Sequence, residues 1–300
     1  MKRWKDTQLP VLARRLVDTC RDGRAVNLTE KADLPPRAML HDLLDRLLDL
    51  LRPGYDSRAA SLDALEYVFG YALDRIYGDL TEVIRKAFLH DCRSRECAVC
   101  TAADTADEFV ADFLERLPDV RELLKSDAQA AFDRDPAAAN LDTILLCYPC
   151  MDAVATYRLA HELALKEVPI IPRIWTERAH SRTGIDIHPR ASIGQGFFID
   201  HGAGVVIGET CQIGDNVTLY QGVTLGAFAP VKGQALRGVK RHPTLENDVV
   251  VYSGATILGG DTVIGEGSVI GGNVWITKSV PPHTRIILGE TEQLIQPLKK

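Results

Sequence analysis

His201 sits between Asp200 and a run of glycines in the string IDHGAGVVIGET, and Arg241 and His242 are adjacent in KRHP. Histidine can take or give a proton near neutrality because its unperturbed pKa is about 6.5. A neighbouring carboxylate can fix the tautomer of such an imidazole and stabilise its charged form. Arginine can grip a carboxylate bidentately. Two further pairs, Cys97-x-x-Cys100 and Cys147-x-x-Cys150, have a spacing that could hold zinc through thiolates, with His90 and Cys92 close to the first. Both pairs fall in stretches expected to be helical, where a spacing of three is also same-face packing. Neither shows the glycine-rich knuckle turns of common zinc modules, so free, mostly buried thiols are the reading taken.

These residues are held by two halves with different patterning. From Leu34 to about Glu177 the chain reads helical. In LPPRAMLHDLLDRLLDLLRPG, Met39, Leu40, Leu43, Leu44, Leu47, Leu48 and Leu51 recur every three or four residues, which predicts one buried helix face ended by Pro53-Gly54. LDALEYVFGYALDRIYG, LTEVIRKAFLHDC, TADEFVADFLERLPDV and the stretch from Thr143 to about Glu167 continue the helical reading. After Thr183 the period becomes six, with hexads starting at Ile187, Ile193, Ile207, Ile213 and Leu219, then at Leu258, Ile264, Ile270 and Ile276. An aliphatic residue opens each hexad and glycine usually follows it. That repeat suits neither a helix nor ordinary alternating strands. It predicts a parallel β-helix of about five coils, each burying its ladder only against its neighbours. The expected layout is a helical domain over 1–180, a β-helix over 181–280 and a tail over 281–300, an α+β two-domain protein.

The repeat breaks twice. Between His201 and Ile207 the frame slips by two residues, and AFAPVKGQALRGVKRHPT forms an ejected loop over 227–244. Loops leaving a rigid scaffold are where function concentrates. Both breaks carry histidine.

The 300 residues are 46% hydrophobic and 25% charged, which excludes a disordered or collagen-like chain. A net charge of −6 argues against nucleic acid or an anionic membrane as the main partner. The basic start, MKRWKDTQLPVLARR, has no apolar segment behind it, so a secretory signal is not expected. Seven cysteines in such a chain point to a reducing cytoplasm.

The hexads resemble those of the left-handed β-helix acyltransferases. DRDPAAA, CYPCMDAVATYRLAH, GIDIHPRASIGQGFFIDHGAGVVIGET, LYQGVTLGA, KRHPTLENDVVVYSGATILGG and SVPPHT, in that order, narrow the resemblance to the serine acetyltransferases over about residues 130–284. The resemblance implies transfer of an acetyl group from acetyl-CoA to the hydroxyl of L-serine, by direct attack in a ternary complex, as the first step of cysteine biosynthesis. It implies His201 as general base and Asp186, fifteen residues earlier, as its orienting carboxylate. At about 18 residues per coil, that separation puts the two near each other on adjacent coils. It assigns Arg241 and His242 to the serine carboxylate and Asp135 and Asp200 to the ammonium. Acetyl-CoA is placed along a groove at Gly226, Ala227, Ser253, Gly271 and Lys278. His188 is expected to be structural, Glu209 to organise the site and His283 to lie at the surface.

The resemblance further implies a homotrimer, or a dimer of trimers paired through the helical domain, with the loop of one protomer reaching a neighbour's His201. Relatives that bind cysteine synthase end in isoleucine, whereas this chain ends in Lys300, so that complex is not expected. The loop before KRHP is longer than the family's short, glycine-rich version. Feedback inhibition by L-cysteine is a family trait that the matched residues permit. Rival readings are another hydroxyl acceptor on the same scaffold, a zinc hydratase of the β-helix type, whose three histidines across one interface the spacing of His188, His201 and His242 does not suggest, and a scaffold protein without catalysis, against which Asp186 and His201 together speak. A sugar acceptor would not need Asp135, Asp200 and Arg241 together.

Overall fold

The computed structural model describes residues 2–21, 34–55, 61–95, 101–228 and 233–289. Cys97, Cys100 and Lys300 lie outside these residues. The N-terminus forms α1 (Lys2–Thr7) and α2 (Leu9–Thr19), whose residues are almost all exposed. Neither helix was read from the sequence. In α3 (Arg37–Leu51) the leucine periodicity becomes one buried face, with Leu40, Leu43 and Leu47 fully enclosed. Next, α4 (Leu62–Ser94) is a single helix where the sequence suggested two. Gly78 does not interrupt it, because a helical glycine costs only about 1 kcal/mol relative to alanine and the helix's packing outweighs that.

After α5 (Thr101–Asp104), α6 (Ala106–Glu115) and α7 (Leu117–Arg134), the short α8 (Leu141–Cys147) begins at Asn140, whose side chain accepts from the Thr143 amide at 2.8 Å. The most buried helix is α9 (Pro149–Leu165). The last is α10 (Ile171–Thr183), ended by Gly184 in the left-handed conformation at φ 72°. Trp175 of α10 is fully buried and donates from Nε1 to the Leu40 carbonyl at 2.9 Å, tying α10 to α3.

The β-helix starts at Asp186. Its first coil is β1 (Asp186–Ile187), β2 (Ser192–Ile193) and β3 (Phe198–Asp200), and the second is β4 (Val206–Ile207), β5 (Gln212–Ile213) and β6 (Thr218–Tyr220). The third coil is β7 (Thr224–Gly226), β8 (Thr244–Leu245) and β9 (Val250–Val251), with the ejected loop between β7 and β8. Then come β10 (Thr256–Leu258), β11 (Val263–Ile264) and β12 (Val269–Ile270), and finally β13 (Trp275–Ile276) and β14 (Arg285–Ile286). They stack as three parallel sheets, β1-β4-β7-β10-β13, β2-β5-β8-β11 and β3-β6-β9-β12-β14. The prism therefore has three faces and three edges.

Ile187, Ile193, Ile199, Ile207, Ile213, Leu219 and Leu225 point inward and are buried, as the period of six requires. One frame needs correction. After the loop the inward residue is Ile257, while Leu258 is only half-buried, so the hexad placed at Leu258 starts one residue late. The chain recovers its phase through the turn at Gly259, whose φ of 105° relieves the extra residue.

A solenoid's first coil would expose its ladder and backbone groups, and here α9 covers it. The Tyr157 hydroxyl donates to the Ala191 carbonyl at 2.6 Å, and Arg158 donates to the carbonyls of Ile193 and Gly194 at 2.7 and 2.6 Å. His161 Nδ1 lies 2.8 Å from the Pro189 carbonyl.

Candidate active site

The edge between β3 and β4 carries His201. Its φ of 57° is left-handed, a region that histidine enters more readily than β-branched residues do. The two-residue slip in the repeat is this corner. It turns the imidazole outward, 72% exposed, with Nδ1 3.7 Å from an Asp200 oxygen. The helical domain adds Asp135, at the C-terminal end of α7. The Asp135 carboxylate accepts from the Tyr148 hydroxyl, and from the Ala137 amide at 2.8 Å. Those bonds hold its carboxyl below the usual range, with His201 adding a smaller pull in the same direction. Tyr148 is pushed up to about 12, chiefly by the same bond to Asp135. Tyr220 pairs with Asp200 in the ladder and stacks on Tyr252, ring centroids 4.9 Å apart. This first group thus brings together Asp135, Asp200 and His201. Nothing local in the sequence singles out Tyr148, which lies between Cys147 and Cys150.

The next edge, between β7 and β8, carries Arg241 and His242. Arg241 is ion-paired with Glu209 through Nη2. Burial pushes the Glu209 carboxyl up, but Arg241 and His188 outweigh it and hold it below the usual range. His242 is 8% exposed. Its pKa falls to about 4, first by burial and then by Arg241. His188 on the same edge also falls to about 4, by burial and then by Arg173, and its Nδ1 accepts from the Arg190 amide at 3.1 Å. These histidines are neutral at pH 7.

One protomer does not join these groups. His201 lies at one end of the β1-β4-β7 face, and Arg241 and His242 at the other. Asp186 lies on that face in β1, 3.4 Å from Arg173 Nη1, and shares no hydrogen bond with His201. The reason is local: the His201 ring is turned toward Asp200, while Arg173 of α10 reaches the carboxylate of Asp186. The positions expected from the sequence to line acetyl-CoA divide in the same way. Gly226 ends β7, Ala227 follows it and Lys278 follows β13, so these three lie on the Arg241 edge. Ser253 and Gly271 follow β9 and β12 and lie on the His201 edge.

Glu177, His180 and Asp186 have ligand atoms within 4.8 Å of one another, so their donor set could hold a metal. Arg173 already pairs with Glu177 at 2.5 Å and with Asp186 at 3.4 Å. Of the cysteines, Cys147 is exposed, while Cys150 is buried and its thiol is pushed up to about 12.

No family model matches the chain. The curated plasmid serine acetyltransferase of Synechococcus elongatus is 46% identical over 255 residues, spanning 83% of this chain and 80% of the relative. A serine acetyltransferase of Helicobacter pylori is 52% identical over 131 residues, 44% of this chain and 73% of that protein. Among solved structures, serine acetyltransferase isoform 3 of Entamoeba histolytica, in complex with cysteine, superposes with a TM-score of 0.72 at 33% identity, covering 85% of this chain and 83% of that one. The soybean enzyme complexed with serine gives a TM-score of 0.54 at 28% identity, over 82% of this chain and 95% of that one. By this similarity along most of its length, and by its capped β-helix, the chain belongs to the serine acetyltransferase family.

Proposed function

We propose that His201 is the base that removes the serine hydroxyl proton, in an active site assembled from two edges of neighbouring protomers. The reaction is acetyl-CoA-dependent O-acetylation of L-serine, in cysteine biosynthesis. The serine oxygen attacks the thioester carbonyl as His201 takes its proton. The CoA thiolate then leaves and recovers that proton from the imidazolium. No covalent enzyme intermediate is needed. Asp186 orients the His201 imidazole once the ring turns from Asp200 toward the β1 face. Asp135 and Asp200 receive the substrate ammonium, which suits the depressed carboxyl of Asp135 and the Asp200 oxygen 3.7 Å from His201 Nδ1. Arg241 and His242 of a neighbour receive its carboxylate.

The observation that carries this reading is the split of complementary groups over two edges of one prism. The anionic group beside His201 and the cationic group at Arg241 cannot serve one small zwitterion within a single protomer. A closed ring of three prisms brings unlike edges together at each contact, which makes three equivalent sites. The same contact would unite Gly226, Ala227 and Lys278 of one protomer with Ser253 and Gly271 of the next along acetyl-CoA. The assembly is a homotrimer, or two trimers paired through the helical domain.

The enzyme needs no metal, and works in the cytoplasm. Among the described residues no helix is long and apolar enough to cross a membrane. L-Cysteine, which differs from serine only in its thiol, binds the same ammonium and carboxylate groups and competes with serine.

The test is release of CoA thiol by purified protein, with and without L-serine, beside His201→Ala. Serine-dependent turnover falling by roughly 10²–10⁴ in the variant supports the assignment of the base. Full turnover in the variant would remove His201 from the mechanism and leave the activity standing.

A further inference from the structure

Thr210, next to Glu209 on the second coil, is engaged by the ejected loop at every polar atom it has. Its Oγ1 accepts from the Arg241 amide at 2.9 Å and the His242 amide at 3.0 Å. With both acceptor directions used, its hydroxyl hydrogen is left for His242 Nδ1, 2.9 Å away. The Thr210 amide donates to the same Nδ1 at 3.1 Å. The Thr210 carbonyl accepts from Lys240 Nζ at 2.7 Å, and Lys240 also donates to the His242 carbonyl at 2.7 Å.

A ring nitrogen that accepts from two donors carries no proton, so the His242 hydrogen is on Nε2. Among the described residues no hydrogen-bond acceptor in the protomer takes that N–H. Gly208 makes room for the ring. A Cβ there would sit 2.0 Å from His242 Cδ2 and 2.1 Å from Nε2. The groups facing His242 are Arg241, Glu209, Lys240 and His188. The cations among them, with burial, keep the ring neutral.

From this geometry we infer that Thr210 is the positioning residue of the serine-carboxylate subsite: it sets the backbone of Arg241 and His242 and fixes His242 as a neutral Nε2–H donor. Glu209 orients the arginine side chain, and Thr210 orients the limb that carries it. The inference rests on the reading of Arg241 and His242 as the carboxylate site. It adds a residue that touches no substrate, and a tautomer that lets a neutral histidine work beside an arginine on one anion.

The experiment is steady-state kinetics of the full-length assembled enzyme with L-serine and acetyl-CoA, for Thr210→Val, Thr210→Ser and Arg241→Ala. Thr210→Val keeps the shape and removes the hydroxyl. It should raise the KM for serine roughly tenfold and leave the KM for acetyl-CoA within about twofold. Thr210→Ser should restore the wild-type value. Independently of activity, 15N-histidine NMR should show the His242 Nδ1 resonance at the position of an unprotonated ring nitrogen, shifting toward a tautomer average in Thr210→Val. The His242 resonance is assigned by its disappearance in His242→Gln. A serine KM unchanged in Thr210→Val, no rescue by serine, or a protonated Nδ1 in the wild type overturns the inference. If Arg241→Ala leaves the serine KM unaltered, the carboxylate reading fails, and the inference falls with it.

Discussion

Arg158 on α9 and Asp127 on α7 meet fork to fork inside the protein, at 3.1 Å through Nε and 2.9 Å through Nη2, both side chains almost wholly enclosed. Asp127 also accepts from the Phe197 amide at 2.9 Å, and Arg158 reaches the Ile193 and Gly194 carbonyls. The pair therefore joins two helices to the first coil at one point. Its place also sets the residues proposed for the serine ammonium, because Asp135 caps the same helix that carries Asp127, and Asp200 ends the strand that Phe197 enters.

Removing one partner should be severe, since it leaves the other charge buried and uncompensated. Asp127→Ala should destabilise the protein by about 3–5 kcal/mol. An Asp127→Leu, Arg158→Met double variant should cost less than the sum of its single changes. Urea unfolding followed by circular dichroism measures both. A loss below about 1 kcal/mol in Asp127→Ala would contradict this account of the domain junction.

Mixed assemblies test the shared site. At a serine concentration well below the KM of Arg241→Ala, where His201→Ala and Arg241→Ala chains are each strongly impaired alone, the two should recover roughly a quarter of wild-type turnover when refolded together in equal amounts, because random assortment gives that share of sites both intact groups. Recovery near zero would confine the whole site to a single protomer.

Acid should destabilise the fold through two histidines. Both His188 and His242 have a folded pKa of about 4, against 6.5 for the free side chain. The unfolded chain then binds more protons between those values, so stability is complete above about pH 6.5 and falls as pH drops toward 4. Around His188 the charged or titratable groups are Arg173, Arg190, Glu209 and His242. His188→Asn keeps an acceptor for the Arg190 amide and removes the titration. Its unfolding free energy should therefore fall less than the wild type's between pH 7 and pH 5. The depressed carboxyls of Asp135 and Glu209 act below that range, as pH falls past 3.8 and 4.5. An equal fall in wild type and variant would count against a buried neutral His188.

The thiols should separate by burial. Thiolate is the reactive form, and burial pushes both Cys150 and Cys211 up to about 12. A disulfide reagent should modify exposed Cys147 quickly and spare those two until the protein is unfolded, as read by peptide mass spectrometry. Pretreatment with a chelator should not change the rate at Cys147. Acceleration by the chelator would revive the zinc reading of the Cys147–Cys150 pair.

Much of the fold was legible because a β-helix is built from local repetition. Ile187, Ile193, Ile207 and Ile213 announced the inward ladder, and the slip after His201 marked the corner where its imidazole turns out. The reading failed where phase or packing is set from outside the repeat. Nothing local distinguished Ile257 from Leu258 after the loop, and Gly78 looked like a helix boundary until α4 was packed on its neighbours. Thr210 and Tyr148 were invisible as functional residues because their partners, His242 and Asp135, are remote in sequence or lie across a turn.

By itself, the sequence determined the period, the ladder that the period buries, and the identity of the groups able to move a proton or hold a zwitterion. The tertiary structure alone decided which of them meet. It put Asp135 beside His201, turned Asp186 to Arg173, and set Arg241 on the opposite edge of the face. The physical reason is that a ladder depends on neighbours a fixed number of residues away. A site depends on the angle at which α7 and α9 seat on the first coil, and buried contacts such as Arg158–Asp127 fix that angle.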